Sequence, residues 1–174
     1  VKTLKNRSIY YSVAETGDAT RLLTKIFGKK DVFENPKPIE LIKELLSHSQ
    51  NAIVLDFFAG SASTGHAVLD MNKEDGGNRR FILCTNNENN ICTEVTYPRI
   101  EKVIKGYSNI KGIPANLKYY TQTFVPVVTS DNDKRQLVNR STEMLCIAEN
   151  CFELVRERDN HSDFSIFKNA KKQM

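Results

Sequence analysis

Residues 54–68 read V-L-D-F-F-A-G-S-A-S-T-G-H-A-V, and the fold turns on how that run is built. Ala52-Ile53-Val54-Leu55 is an apolar segment with the length and branching of a buried parallel strand. Asp56 closes it, small residues follow (Ala59, Gly60, Ser61, Ala62, Ser63, Thr64, Gly65), and Ala67, Val68 and Met71 then recur at helical core spacing. A strand that passes through a Gly/Ala/Ser turn into a helix lets a ligand approach bare backbone. It also supplies helix N–H donors and, here, a strand-end carboxylate as acceptor. The pattern predicts an α/β fold with a nucleotide-type cofactor at the carboxyl end of a central strand. A tight turn that binds nothing is the plain alternative.

Two cofactor classes fit poorly. No Gly-x-x-x-x-Gly-Lys-Ser/Thr loop exists to cradle a triphosphate, and no Gly-x-Gly-x-x-Gly exists to receive a dinucleotide. A carboxylate stands where a pyrophosphate would need room. An acid beside a small-residue turn suits a cofactor with an ammonium group and little negative charge, of which S-adenosylmethionine is the obvious example.

Upstream, Asp18-Ala19-Thr20 caps a helix running to Phe27, with Gly28 ending it. Within a polar N-terminal arm, Ser8-Ile9-Tyr10-Tyr11 reads as a short strand or as a peptide trimmed from an upstream domain. Asn35-Pro36-Lys37-Pro38 is biased towards extended backbone, with Pro38 near the first turn of a helix whose stripe is Ile39, Ile42, Leu45 and Leu46. His48 lies at the end of that helix, where a solvated cap is expected. Downstream, Glu74–Asn78 is a turn and Arg79–Cys84 a second parallel strand, completing a strand–helix–strand unit. Such a strand often ends in an acid that accepts from ribose hydroxyls. Here it runs into Thr85-Asn86-Asn87-Glu88; Thr85 takes the acid's place, and Thr85, Asn86 and Glu88 remain candidates for its role.

Thr96-Tyr97-Pro98-Arg99-Ile100 opens a helix with Ile100, Val103 and Ile104 inward, ending at Gly106. A third strand is expected at Leu117–Thr121, extended by Phe124–Val128, and Phe164–Phe167 reads as another. Between them, Asp133–Arg158 has the spacing of one long amphipathic helix, with Leu137, Val138, Met144, Leu145, Ala148, Cys151, Phe152 and Val155 on one face. Three segments result: an N-terminal arm and linker helix at 1–34, the cofactor-binding domain at 35–128, and a helical extension at 129–174.

Composition narrows the class further. At 174 residues there is material for one core of moderate size, and 25 Lys plus Arg against 21 Asp plus Glu is too mild an excess to mark a nucleic-acid surface. The four cysteines form no C-x-x-C pair, so reduced thiols and no metal site are expected. No apolar run reaches the length of a membrane span, and a cytoplasmic location follows as the expectation. The first residue, Val1, and the last, Met174, read as cuts within a longer chain.

Taken together, Asp-Phe-Phe-Ala-Gly-Ser at 56–61, Asn-Pro-Lys-Pro-Ile-Glu-Leu-Ile from Asn35 and Arg-Arg-Phe-Ile-Leu from Arg79 resemble the modification subunit of type III restriction–modification systems. These are DNA adenine-N6 methyltransferases of the beta motif order. The resemblance covers about Leu22 to Asn169. It implies a Rossmann-like class I methyltransferase fold, with a partial parallel sheet of about three strands flanked by helices and a long C-terminal amphipathic helix. It implies S-adenosylmethionine as cofactor, held by Lys37, Pro38, Asp56, Phe58, Ala59, Gly60, Ser61, Thr85 and Glu88, with Lys37 meeting the methionine carboxylate through a charge-assisted hydrogen bond. The family usually has Gly-Ser-Gly-Thr where this chain has Gly60-Ser61-Ala62-Ser63. Ala62 suits a helix start provided its φ is negative.

Methyl transfer to an exocyclic amine requires the base to be flipped, stacked and held so that its lone pair faces the sulfonium methyl. In the family an Asp/Asn-Pro-Pro-Tyr element does this, and this sequence contains no Pro-Pro pair. No catalytic residue is therefore assigned. The expectation is a cofactor-binding part that is inactive alone, acting on DNA within a full-length protein alongside a restriction subunit. Strand 52–55 would lack a neighbour on one side, so self-association or local rearrangement is expected to cover that edge. The alternative is a non-catalytic assembly module organised around the long helix. A dinucleotide-dependent oxidoreductase is disfavoured by the turn.

Overall fold

The computed structural model describes residues 13–125, 127–156 and 165–170, so the Ser8–Tyr11 segment lies outside the described residues. Two compact units are present, Val1–Tyr119 and Tyr120–Met174.

In the first unit, β1 (Ile53–Asp56) enters the turn, α3 (Ser63–Asp75) follows, and β2 (Arg80–Leu83) returns parallel to β1. The register sets Val54 beside Phe81 and Leu55 beside Ile82. Alternation then divides the sheet. Phe81 and Leu83 pack on a core of Ile26, Ala62, Leu69, Ile100 and Val103, whereas Ile53, Leu55 and Ile82 are each more than half exposed on the other face. A parallel pair is usually covered on both faces; here one face is bare, and the outer edge of β1 has no partner among the described residues.

The third parallel strand expected at Leu117–Thr121 does not form. Ile113, Ala115 and Leu117, before and at the start of that segment, alternate inward and pack against the core. The Ile113 amide donates to the Val103 carbonyl at 3.0 Å, but no strand ladder forms along this segment among the described residues. The parallel sheet therefore has two strands, not about three. A minor antiparallel pair, β3 (Gly106–Tyr107) with β4 (Ile110–Lys111), follows α4 (Tyr97–Lys105).

Each helix has an evident local cause. In α1 (Thr16–Phe27), Ala19, Leu23 and Ile26 are buried at helical spacing. Its start lies earlier than Asp18: Glu15 is the cap residue, Asp18 completes a reciprocal capping box, and Gly28 ends the helix in the left-handed conformation. Pro38 precedes α2 (Ile39–Leu46), which packs against α3 through Lys43; the ammonium lies 3.1 Å from Asp70 and 2.6 Å from Glu74. Burial opposes the Lys43 charge, but those two carboxylates outweigh it and raise its pKa. Nearly every side of α3 is buried. Its C-terminus is tied down by Arg79, whose side chain forms a two-pronged pair with Asp75 at 3.0 and 2.8 Å. The Arg79 hydrogen bonds and the Gly77 amide hold the Asp75 pKa down at about 2.

One backbone feature departs from expectation. Ala62 has φ +61° and ψ 33° instead of a negative φ, and it is fully buried. The left-handed conformation costs a non-glycine residue roughly 1–2 kcal/mol. Replacing Ala62 with Gly removes that cost, but loses ~0.8 kcal/mol of methyl burial and roughly 0.5–1 kcal/mol of unfolded-state restriction. Ala62→Gly is therefore expected within about 0.5 kcal/mol of wild type in urea unfolding, whereas Ala62→Val, overpacked and branched, loses ~2 kcal/mol or more.

In the second unit, α5 (Asp131–Glu149) starts at Ser130, which exchanges hydrogen bonds with Asp133 in a capping box. The helix stops at Glu149 and does not continue to Arg158. Asn150 turns left-handed, the Cys151 amide bonds back to the Cys146 carbonyl at 3.0 Å, and Glu153–Arg156 forms β5, antiparallel to β6 (Ile166–Lys168). Leu154 and Val155 fit either period, and the left-handed Asn150 decides between them. Of the expected helical stripe, Leu137, Val138, Met144 and Leu145 are exposed, and Cys146 is the buried residue of α5.

Candidate functional site

The turn between β1 and α3 is held from three directions. From the sheet, the Ala59 amide donates to the Cys84 carbonyl at 3.1 Å and the Cys84 amide donates to the Asp56 carbonyl at 2.8 Å. Within the turn, the Ala62 amide donates to Ala59 at 2.7 Å and Gly60 sits at φ +50°. A Cβ at Gly60 would lie 3.1 Å from the Phe33 ring, so the segment before the Asn35–Pro38 motif crosses the turn there and only glycine fits comfortably.

From below, the turn is tied to a helical run that follows β2. A short 3-10 turn (Glu88–Asn90) leads into a π-helix (Cys92–Thr96) and then α4 (Tyr97–Lys105). The Asn87 side chain accepts from the amides of Cys92 and Thr93 and so caps that run. Thr96 donates its hydroxyl to the Gly60 carbonyl at 2.6 Å. One turn on, the guanidinium of Arg99 donates to the Ser61 carbonyl at 2.9 Å, to the Ser61 hydroxyl at 3.1 Å and to the Ser63 hydroxyl at 2.9 Å. Its other nitrogen lies 3.4 Å from Nδ1 of His66. Arg99 is fully buried, and no carboxylate is in ion-pair contact with it among the described residues. Burial lowers its pKa to about 10. His66 is buried too, edge-on to Tyr107 and 3.9 Å from Asp70. Burial first, then the Arg99 and Lys43 charges, hold its pKa down at about 3.

Asp56 faces the upper side of this turn. One carboxylate oxygen accepts from the Phe58 amide at 3.0 Å and the other from the Thr64 hydroxyl at 2.6 Å. It makes no ion pair among the described residues. A carboxylate has about four acceptor positions, so two bonds fix its direction and leave capacity for a ligand donor.

The sequence-derived residues are distributed as follows. Asp56, Phe58, Ala59, Gly60 and Ser61 form one continuous turn. Phe58 is 93% exposed with its ring in solvent, Ala59 is buried, and the Ser61 hydroxyl is buried against Arg99, facing away from any ligand side. Thr85 follows directly on Cys84, which pairs with Asp56, so the β2 end does lie beside the β1 end. Glu88 is exposed and accepts from Asn86 at 3.3 Å. Pro38 is buried at the start of α2, while Lys37 is exposed with no bonded partner among the described residues. Cavities of about 300 and 230 Å³ lie elsewhere, one on α1 at Thr20, Arg21 and Thr24, the other within the second unit; neither covers the turn.

Residues 5–97 match the DNA methylase family of N6 and N4 type. The chain belongs to that DNA methylase family. Over 98 residues the methylase chain is 40% identical to the StyLTI Mod subunit, a type III restriction-modification enzyme of Salmonella typhimurium, covering 53% of this chain and 15% of that one. Over 127 residues it is 37% identical to the type II methyltransferase M.KpnI of Klebsiella pneumoniae, covering 71% of this chain and 28% of that one. It is also 42% identical over 89 residues to the EcoPI Mod subunit of Escherichia phage P1, with 49% and 14% covered. The methylase chain thus spans less than a third of each of these relatives. The matches to Mod subunits agree with the resemblance drawn from the three motifs.

Sequence reading missed Arg99, Thr96, Thr64 and His66 as parts of this site. Arg99 and His66 are polar residues at core positions of their helices. An arginine one residue before Ile100, within the inward-facing stripe, was the signal available. Among the described residues no helix is long and apolar enough to cross a membrane.

Proposed function

We propose that this methylase chain is the S-adenosylmethionine-binding part of a DNA adenine-N6 methyltransferase of a restriction–modification system, with a Rossmann-like arrangement around β1 and β2. The observation that carries the reading is the Asp56 carboxylate: oriented by Phe58 and Thr64, unpaired with any cation among the described residues, and placed where β1 gives way to the Gly60 turn. A cationic methyl donor with an ammonium group suits an anchored, uncompensated acid. Lys37, exposed and unbonded, is available to the cofactor carboxylate. The nearby Thr85 and Glu88 are the candidates for the ribose hydroxyls. When bound, the cofactor supplies the electrophilic methyl group; the chain's own residues hold and orient it.

The Asp/Asn-Pro-Pro-Tyr element that would grip the adenine amine belongs to another part of the full-length protein, and this stretch alone is inactive. The full-length protein acts on DNA and assembles with a restriction subunit. The bare face of β1–β2 and the unpaired edge of β1 support further packing there, whether by the rest of the same protein or by a second copy.

Calorimetry with S-adenosylmethionine tests the central claim. A charge-assisted hydrogen bond contributes roughly 1.5–3 kcal/mol, so Asp56→Ala is expected to weaken binding about tenfold or more. Asp56→Asn keeps one acceptor for Phe58 or Thr64 while removing the charge, and should weaken binding too. Affinity equal to wild type in both variants would remove Asp56 from this role.

A further inference from the structure

The turn that carries the proposed cofactor contacts is not stiff by itself. Its residues are small, Gly60 and Ala62 are both left-handed, and α3 begins without a side-chain cap. What fixes it is a pair of donors from one helical run. Thr96 closes the π-helix and Arg99 lies in the first turn of α4, three residues on and therefore on the same side. Each takes the carbonyl of a successive turn residue: Thr96 takes Gly60 and Arg99 takes Ser61. The amides of those same two residues, Gly60 and Ser61, have no partner among the described residues.

We propose that Thr96 and Arg99 are positioning residues for cofactor binding, holding the Gly60 and Ser61 carbonyls inward so that their amides remain available to the carboxylate end of the cofactor. The inference deepens the S-adenosylmethionine reading and rests on it. Geometry favours positioning over direct contact: Arg99 is fully buried, with one terminal nitrogen directed to Ser61 and Ser63 and the other towards His66. Packing alone does not account for it. A buried cation without a paired carboxylate is costly, and its Nε finds no partner. An apolar side chain would fill the same space more cheaply. The guanidinium also places positive charge beneath the turn, while Asp56 places negative charge at its other end. A zwitterionic amino-acid group matches that pair of poles. The π-helix supports the same reading. An inserted residue in a helix commonly re-aims side chains at functional sites, and here the π-helix ends on Thr96 and leads into the turn that carries Arg99.

The experiment measures S-adenosylmethionine affinity and thermal stability of the full chain for Thr96→Val, Thr96→Ser, Arg99→Lys and Ser63→Ala. Thr96→Val removes the donor to Gly60 with little change in shape, and should weaken binding about tenfold. Thr96→Ser restores the hydroxyl and should recover affinity to within about twofold, a rescue that a purely structural role would not give. Arg99→Lys keeps the charge but puts a single nitrogen in place of the fork that reaches Ser61 and Ser63 with one arm and His66 with the other, and should also weaken binding about tenfold. Ser63→Ala releases one Arg99 donor without touching either carbonyl and should change affinity less than threefold. Should Arg99→Lys fail to fold, the Thr96 pair decides. Wild-type affinity in Thr96→Val, or equal loss in Thr96→Val and Thr96→Ser, overturns the positioning role. Absence of binding by the wild-type chain overturns instead the cofactor reading beneath it.

Discussion

Acidified from pH 7 towards pH 4, the folded chain loses stability with a slope that approaches ~1.4 kcal/mol per pH unit from His66 alone. His66 is buried between Arg99, Tyr107 and Asp70, and its pKa lies at about 3, first because of burial and then because of the Arg99 and Lys43 charges. The unfolded chain takes up that proton near the ordinary value of 6.5. Between those two values the unfolded state binds more protons than the folded one, so stability rises with pH and falls on acidification. Asp75, held down at about 2, acts in a lower window: its contribution is complete above 3.8 and is lost only as pH falls through 2. Urea unfolding between pH 6.5 and about 5, above the window in which such a carboxylate begins to titrate, therefore reads the histidine. His66→Gln should flatten the profile across that range while lowering stability at pH 7. A variant that keeps the wild-type slope would show that another group titrates there.

The second large effect lies in the contact between α3 and α4. Ile100 is 2% exposed, and a Cβ built on Gly65 would lie 2.8 Å from its Cδ1 and 3.0 Å from that of Leu83. Gly65 thus sets how closely α3 approaches β2 and α4. Ile100→Ala opens a cavity at that point and is expected to cost ~3 kcal/mol. Gly65→Ala alone gains ~1 kcal/mol of helix propensity, but overpacks two methyl groups at a cost of about 1–3 kcal/mol. In the double variant the new methyl group occupies part of the space that Ile100 vacates. The pair should then be more stable than the sum of the single changes by ~1 kcal/mol, read from a double-mutant cycle in urea. Strict additivity would mean that the two residues do not share that space.

The parts of the fold that were legible in the sequence are those whose signal is local. The strand at Ile53, the small-residue turn, the helix through Val68 and Met71 and the second strand at Phe81 each announce themselves by periodicity and punctuation, and they appear within a residue or two of their expected bounds. What failed depended on partners. The strand expected from Leu117 to Thr121 does not form. Leu117 packs on the core beside Ile113 and Ala115, but burial on one side does not supply the partner strand that a ladder needs, and none pairs there among the described residues. The apolar spacing after Leu145 suits a helix or a strand equally, and it took the left-handed Asn150 to break the helix before β5. The sign of φ at Ala62 is set by closure of the turn between Ala59 and α3, which no single-residue preference encodes.

The candidate site divides in the same way. Asp56, Gly60 and Ser61 were found because the motif is contiguous. Arg99 and Thr96 lie more than thirty positions away and join the turn only when α4 folds beneath it. Ser61, expected among the cofactor contacts, has its hydroxyl buried against Arg99.

The sequence contains no tryptophan and six tyrosines. Tyr97, immediately after Thr96, has its ring 4.8 Å from that of Tyr119, tilted by 43°, and the Tyr119 hydroxyl lies 3.9 Å from the Cys92 sulfur at the start of the π-helix. Two phenol chromophores so close couple electronically, without any indole absorption to mask them. Near-ultraviolet dichroism of the chain therefore carries a native optical marker one residue away from Thr96, with no label attached.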